Sequence, residues 1–250
     1  MWLEANDTQQ FWLSNAGGYP IVYTAPLHPA SAVSLSDDAA LVEAGWATVA
    51  AVANVSAWRP GNGLCMAWPP AARVAGRARA AGVLDGWAAA LAATMGANFW
   101  PDLDGGGIEQ FGATEALNSA LLQSQEGFVR LFPMWPPGEN ASFVTLRARG
   151  ALLVSARWGA GVGVLPPVTV ALADPPASPR AVSLLDPWSE GTPGPDWPPP
   201  VVTAAGGGGG VPVSRDPAWP ALPVWTFVGQ PGAAYDVAPG AAPAASASAG

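Results

Sequence analysis

The stretch GIEQFGATEALNSALLQSQEGFVRLF, residues 107–132, decides the fold, because the spacing of its apolar residues changes midway. Over residues 113–125, small and apolar side chains recur three and four positions apart, as in an amphipathic helix, and these are Ala116, Leu117, Ala120, Leu121 and Ser124. After Gly127 come short segments that alternate or run apolar between glycines and prolines, as strands do. The stretch therefore predicts a helical region that passes directly into a β-region.

Upstream of this stretch the sequence is mostly helical in pattern. Residues 36–38, Ser-Asp-Asp, supply N-cap residues for a long apolar helix. Two further helices are predicted at 66–82 and 84–96, and they meet at Gly82. Residues 1–126 are therefore expected to form a helical domain.

Downstream, six segments have the length and composition of strands, and they are 128–132, 142–148, 151–158, 163–172, 181–188 and 222–228. Several short strands with regular turns indicate an antiparallel β-sandwich over residues 127–237. Residues 189–222 are rich in proline and glycine and are predicted to be a flexible insertion. The Ala/Pro/Ser/Gly tail, 238–250, is predicted to be disordered. The fold class predicted is α+β.

The composition excludes several classes of partner. The net charge is −8, and the densest basic group, Arg73, Arg77 and Arg79, has the spacing of a solvated helix face. Nucleic acid is therefore not an expected partner, since it requires clustered basic residues. No apolar run approaches the length of about 18 residues that suggests a membrane span, so no membrane partner is expected. The single cysteine, Cys65, excludes an internal disulfide. No cofactor is expected.

Carboxylates cluster around three glycines immediately before the helix predicted at 113–125. Asp102, Asp104 and Glu109 flank Gly105–Gly107, and glycines let the backbone approach a ligand closely. Carboxylates in such a loop can act as general acid or base, bind a cation, or only cap the helix that follows. The glycines lack the strand, the GxGxxG spacing and the lysine of phosphate-binding loops.

Histidine and tryptophan are the other residues that bear on function. His28 is the only histidine in the chain, so no metal site built from several histidines is expected. A histidine beside proline in a loop is also commonly structural. Among the 13 tryptophans, Trp58, Trp68 and Trp100 are the candidates for a sugar-binding platform. Their rings either stack on sugars or fill the core.

From Glu109 to Gly150 the chain resembles glycoside hydrolase family 95, which comprises α-L-fucosidases and related α-L-galactosidases. Members carry a D-G-N-F-G-x-T stretch, a helix ending in L-L-Q-S-x-x-G, an L-L-P strand and an L-R-A-R-G turn. The matching residues, in the same order, are Phe111, Gly112, Thr114, Leu121, Leu122, Gln123, Ser124, Gly127, Leu131, Pro133, Leu146, Arg147, Ala148, Arg149 and Gly150. Weaker matches at 26–29 and 224–237 extend the resemblance over residues 18–237.

The resemblance implies an (α/α)6 toroid that carries the active site, followed by a C-terminal β-sandwich. Family 95 enzymes invert the anomeric centre, so an acid protonates the leaving oxygen while a base activates water on the opposite face. The family's base is the Asp of D-G-N-F-G, and that position is Ile108 here, followed by Glu109. Glu109 is therefore the candidate catalytic base, with Asp104 in reserve, and fucose specificity is left open.

This resemblance makes residues 1–126 the C-terminal portion of the toroid and 127–237 the β-sandwich. The predicted helices are fewer than a complete toroid contains. The general acid is therefore expected outside these residues, in a missing N-terminal part of the same enzyme that would act as a partner. The 250 residues alone are expected not to turn over substrate.

The expected substrate is a carbohydrate, a side chain of a polysaccharide or glycan, and the candidate sugar contacts are His28, Trp58, Asn62 and Gln110. Two alternatives stay open: a non-catalytic carbohydrate-binding or structural remnant of such an enzyme, and a scaffold protein without a sugar ligand. Three glycosylation sequons leave the compartment open, with secreted and vacuolar locations as candidates.

Overall fold

The computed structural model describes residues 24–56, 58, 64–97, 108–173, 178–189 and 198–240. Over these residues the protein is α+β, which confirms the predicted class, with helices first and antiparallel sheets after them. The chain divides into two compact units. The helical unit comprises the chain up to Leu121 together with Pro133–Pro136, and the β-unit comprises Leu122–Phe132 and the chain from Pro137 onward.

The described part of the helical unit contains four helices, namely α1 (Ala39–Ser56), α2 (Leu64–Val74), α3 (Gly76–Thr94) and α4 (Ile108–Leu121). The Asp38 carboxylate accepts a hydrogen bond of 2.8 Å from the Ala40 backbone N–H, so α1 begins at the cap predicted from residues 36–38. None of these four described helices combines the length and the apolar character that a membrane span requires.

The predicted helix boundary at Gly82 is wrong, because α3 runs through both Gly82 and Gly86. The break lies instead at Gly76, whose φ of +62° is a conformation that glycine adopts without strain. Gly86 stays helical because the Trp58 indole packs against it; a Cβ at this position would lie 2.6 Å from the indole ring. Tertiary packing has therefore overridden the low helix propensity of glycine.

Small side chains let α2 and α4 pack closely in the core of the helical unit. Ala71 and Ala72 of α2 and Ala116 and Ala120 of α4 are all fully buried. Leu117, predicted to lie on the apolar face of α4, is instead 46% exposed. The packed side of α4 consists of small residues because bulky ones would hold the two helix backbones apart.

The described part of the β-unit contains eleven strands. They are β1 (Leu122–Gln123), β2 (Arg130–Leu131), β3 (Ala141–Ala148), β4 (Leu152–Gly159), β5 (Gly163–Leu172), β6 (Arg180–Leu185), β7 (Val201–Ala204), β8 (Gly210–Val211), β9 (Val213–Arg215), β10 (Val224–Gly229) and β11 (Ala234–Ala238). One sheet has six strands in the order β3-β4-β5-β11-β7-β8, and another has three in the order β6-β10-β9. β1 and β2 form a separate antiparallel pair.

The segment predicted to be a flexible insertion, 189–222, contains strands instead. β7 pairs with β11, and β9 pairs with β10, so the segment contributes to both sheets. Gly206 and Gly207, at φ near +90°, form the turn between β7 and β8. The glycines of this segment form a turn between two strands and do not indicate a flexible region. Residues 241–250, most of the predicted tail, lie outside the described part of the chain.

The outer strands of the six-stranded sheet are irregular. β3, at one edge, has a register shift between Phe143 and Leu146, and Thr145 within it has a φ of 55°. β8, at the other edge, is two residues long. The interior of the β-unit includes the buried Phe132, whose ring centroid lies 5.3 Å from that of Phe143.

Candidate functional site

The sequence-predicted site residues fall in the helical unit, and four of the six can be placed. Glu109 and Gln110 stand in the first turn of α4, at the helix N-terminus, where negative charge is stabilised by the unpaired backbone N–H groups. His28 and Trp58 lie in the loops before α1 and α2. Asp104 and Asn62 lie outside the described residues.

Helical periodicity distinguishes positions 109 and 110 on α4. Position 109 lies in line with Ala116 and Ala120, which are buried, whereas position 110 lies in line with the exposed Leu117. The backbone therefore places the two positions about 100° apart around the axis of α4.

A charged cluster, defined as His28, Arg73, Glu115 and Ser119, joins α2 to α4. The Arg73 Nη2 lies 3.4 Å from Oε1 of Glu115, and the Ser119 hydroxyl donates a hydrogen bond of 3.0 Å to the same oxygen. The Arg73 side chain is 10% exposed, whereas the Glu115 side chain is 43% exposed. The prediction that Arg73 lies on a solvated helix face is therefore wrong.

His28 has an unusual environment within the charged cluster. Burial, and next to it the Arg73 guanidinium, lowers the pKa of the imidazole below its ordinary 6.5, while Glu115 acts in the opposite sense. The His28 Nδ1 is buried and has no hydrogen-bond partner among the described residues. A neutral imidazole carries one donor and one acceptor nitrogen, and one of these two, Nδ1, lies away from solvent.

The charged cluster has a structural and a chemical consequence. It ties two helices together through a partly buried ion pair, and it holds the half-exposed Glu115 carboxylate in a fixed position. Carboxylate, guanidinium and imidazole groups together offer acceptors and donors for the hydroxyls of a sugar. Glu115 was not singled out from the sequence, and its place six residues, or about 1.7 turns, after Glu109 on α4 was the available signal.

Trp58 belongs to an aromatic cluster with Trp68 and Trp87. The Trp68 and Trp87 rings stack with centroids 5.1 Å apart, and the Trp58 ring meets Trp87 edge to face at 6.3 Å. Trp68 is 2% exposed and donates its indole N–H to the Trp58 carbonyl oxygen at 3.1 Å. Trp68 therefore fills the core and cannot stack on a sugar, whereas Trp58 is half-buried. Trp100 lies outside the described residues.

Metal-ligand geometry is not found in the part of the chain that the structure describes. No three His, Cys, Asp or Glu residues there lie close enough to hold an ion.

Comparison with known proteins assigns no family to the chain, since no protein-family model matches it and no curated protein is significantly similar to it. The resemblance to family 95 rests on the spaced motifs of residues 109–150. The contacts within the charged cluster do not depend on that resemblance.

The lowered pKa of His28 leads to a prediction about pH. The folded state resists protonation of the imidazole, so the histidine's contribution to stability is fully present above pH 6.5 and is lost as the pH falls from there toward the folded-state pKa. Because the chain has one histidine, its ring C–H resonances report this pKa directly by proton NMR. We expect a midpoint below 6.5 in the folded protein and near 6.5 in urea. A folded-state midpoint at or above the value in urea would contradict the environment described.

Proposed function

We propose that the chain is the C-terminal part of a glycoside hydrolase resembling the inverting α-L-fucosidases and α-L-galactosidases of family 95. Its substrates are side chains of polysaccharides or glycans. The observation that supports this most is the order of motif elements in residues 109–150. In the structure the same block runs as α4, the β1–β2 pair and β3, followed by a turn at Gly150 with a φ of +81°.

In this proposal the helices belong to an (α/α)6 toroid and the two larger sheets form a β-sandwich. Two contacts between the sheets support the second assignment. The ring centroids of Phe227 in β10 and Tyr235 in β11 lie 5.1 Å apart. A Cβ on Gly229 of β10 would lie 2.8 Å from the side chain of Leu172 in β5, so these strands are closely packed.

Glu109 is the general base of the proposed reaction. It removes a proton from the water that attacks the anomeric carbon, while a general acid from another part of the enzyme protonates the leaving oxygen. The first turn of α4 favours an ionised carboxylate through the helix dipole, and an ionised carboxylate is the form that accepts a proton. Asp104 is the reserve candidate for the same role.

The charged cluster supplies sugar contacts in this proposal. His28 and Glu115 offer hydrogen-bonding groups at fixed positions. Trp58 is a half-buried aromatic ring, and it is the one nearest in sequence to the candidate contact Asn62. These residues orient the substrate, whereas Glu109 accepts the proton from the attacking water.

A second candidate function is a non-catalytic carbohydrate-binding or structural remnant. It is favoured by the replacement of the family's Asp by Ile108 and by the use of Trp68 in the core. In this alternative the charged cluster binds sugar without turnover.

Hydrolysis and binding assays distinguish these functions. Aryl α-L-fucoside and α-L-galactoside would be incubated with the 250-residue chain and with any longer form of the same protein, and NMR would identify the anomer released first. We expect the longer form to release the β-anomer, because inversion converts an α-glycoside into a β-sugar, and the short chain to be inactive. Binding without turnover in both forms would support the remnant. Release of the α-anomer, or neither binding nor turnover, would contradict the proposed enzyme.

A further inference from the structure

A cavity in the β-unit has features of a ligand site that the proposed glycosidase does not use. Its volume is about 240 Å³, several times that of one water molecule. The β1–β2 turn, the Arg149–Gly150 turn and the first residues of β6 form its walls. It lies wholly within one compact unit, so its geometry depends on that unit alone.

Two arginines give the cavity its charge. Among the described residues that line it are Arg149 and Arg180, and no aspartate or glutamate is among them. The whole chain has a net charge of −8, so a cavity lined by positive charge alone is a local exception. Such a concentration of cations attracts anions.

The backbone holds both guanidinium groups in place. Arg149 donates from Nη1 to the Gln125 carbonyl oxygen at 3.2 Å, and its backbone N–H donates to the Ser124 hydroxyl at 2.9 Å. Arg180 donates from Nη2 to the Ala151 carbonyl oxygen at 3.3 Å. Each contact uses one donor of a group that has five, so most of the donors are left for a ligand.

The Arg180 Nε is buried and has no hydrogen-bond partner among the described residues. An unpaired charged donor away from water is unfavourable, and such groups in folded proteins commonly indicate a bound water, ion or ligand. Here the unpaired N–H belongs to a residue of the cavity wall.

Two acidic residues near the cavity, among those that the structure describes, are already engaged. Glu126 forms an ion pair of 3.1 Å with Arg130, and both side chains are at most 10% exposed. Asp216 accepts a hydrogen bond of 2.8 Å from Ser183, a residue of the wall, and another of 3.2 Å from Thr226. The charge of Arg149 and Arg180 is therefore not matched by either carboxylate.

We propose that this cavity binds an oxyanion through Arg149 and Arg180. A carboxylate, sulfate or phosphate group accepts two parallel hydrogen bonds from a guanidinium group, and the cavity has room for a substituent on that group. The shared chemistry is the oxyanion; its source is an acidic or sulfated sugar or a free inorganic anion.

The test is a titration of the full chain with glucuronate, sulfate and phosphate at constant ionic strength. Backbone amide shifts of Gly127 and Gly150 and the Arg180 Nε–H resonance would be followed by NMR. We expect saturable shifts at these positions. Tighter binding of glucuronate would identify an acidic sugar as the source, and equal or tighter binding of sulfate or phosphate would identify the bare anion.

Substitutions of the two arginines test whether they bind the anion. Arg149→Gln and Arg180→Gln are each expected to weaken binding about tenfold or more, since each removes a charged hydrogen-bonding fork. Arg157→Gln is the matched control, because Arg157 also donates to a backbone carbonyl, that of Pro166 at 3.2 Å, but does not line the cavity. Arg149 is exposed, so its variant is expected to fold even if the Arg180 variant does not. Shifts that never saturate, or equal weakening by the control, would overturn the proposal.

Discussion

Replacing Glu109 by glutamine is expected to lower kcat about a hundredfold to ten-thousandfold in the form of the protein that hydrolyses aryl α-L-fucosides or α-L-galactosides. Glutamine has the same shape as glutamate but cannot accept a proton from the attacking water. The acidic limb of the pH–rate profile, which reports ionisation of the base, should disappear as well. Steady-state kinetics over a range of pH measures both effects.

Two control variants test whether this effect belongs to Glu109. Glu115→Gln changes a carboxylate in the same helix that is engaged with Arg73 and Ser119, so it should affect KM and stability more than kcat. Asp104→Asn addresses the reserve candidate. An unchanged kcat in Glu109→Gln together with a large loss in Asp104→Asn would transfer the role of base to Asp104.

Replacing Glu126 by glutamine is expected to lower the free energy of unfolding of the β-unit by about 3 kcal/mol or more. The Glu126 and Arg130 side chains are 5% and 10% exposed, and the Arg130 guanidinium also lies 5.3 Å from the centre of the Phe128 ring. The variant removes the negative charge and leaves the guanidinium charge in a poorly solvated place. Urea titration followed by hydrogen exchange of β2 and β6 peptides measures the change in this unit.

The exposed ion pair between Arg79 and Glu43 is the matched control for Glu126. Its Nη2–Oε1 distance is 2.7 Å, shorter than that of the buried pair, but the Glu43 side chain is 59% exposed. Glu43→Gln should therefore cost about 1 kcal/mol or less, since solvent screens the pair. The double change Glu126→Gln with Arg130→Met should recover part of the loss, because the buried guanidinium charge is then removed as well. Equal effects of Glu43→Gln and Glu126→Gln would contradict this account of the buried pair.

Local periodicity predicted much of the fold. Each of the six segments predicted as strands overlaps one, and the segment 163–172 coincides with β5. The helix boundary at Gly82 was misplaced because a glycine inside a helix and a glycine in a turn look alike in sequence. Only packing distinguishes a glycine in a turn from glycines that a helix accommodates, such as Gly86 beneath the Trp58 ring.

The candidate site was less predictable, because its partners come from distant parts of the chain. Arg73 and Glu115 are separated by 42 residues, so the helical spacing of the arginines could not reveal the ion pair. Arg180 lines the cavity from β6 and Arg149 from the turn between β3 and β4, and neither belongs to a basic cluster in sequence. Histidine and tryptophan were noticed because they are rare or bulky, whereas Glu115 resembled any surface carboxylate on a helix.

The irregular outer strands of the six-stranded sheet bear on how this protein behaves at high concentration. A long, regular edge strand exposes unpaired backbone groups to which another molecule can add a strand of its own. The shift between Phe143 and Leu146 interrupts one such edge, and β8 offers only two residues at the other. Bulged and short edge strands pair poorly with strands of other molecules. The irregular edges of this sheet therefore reduce the tendency of the β-unit to aggregate.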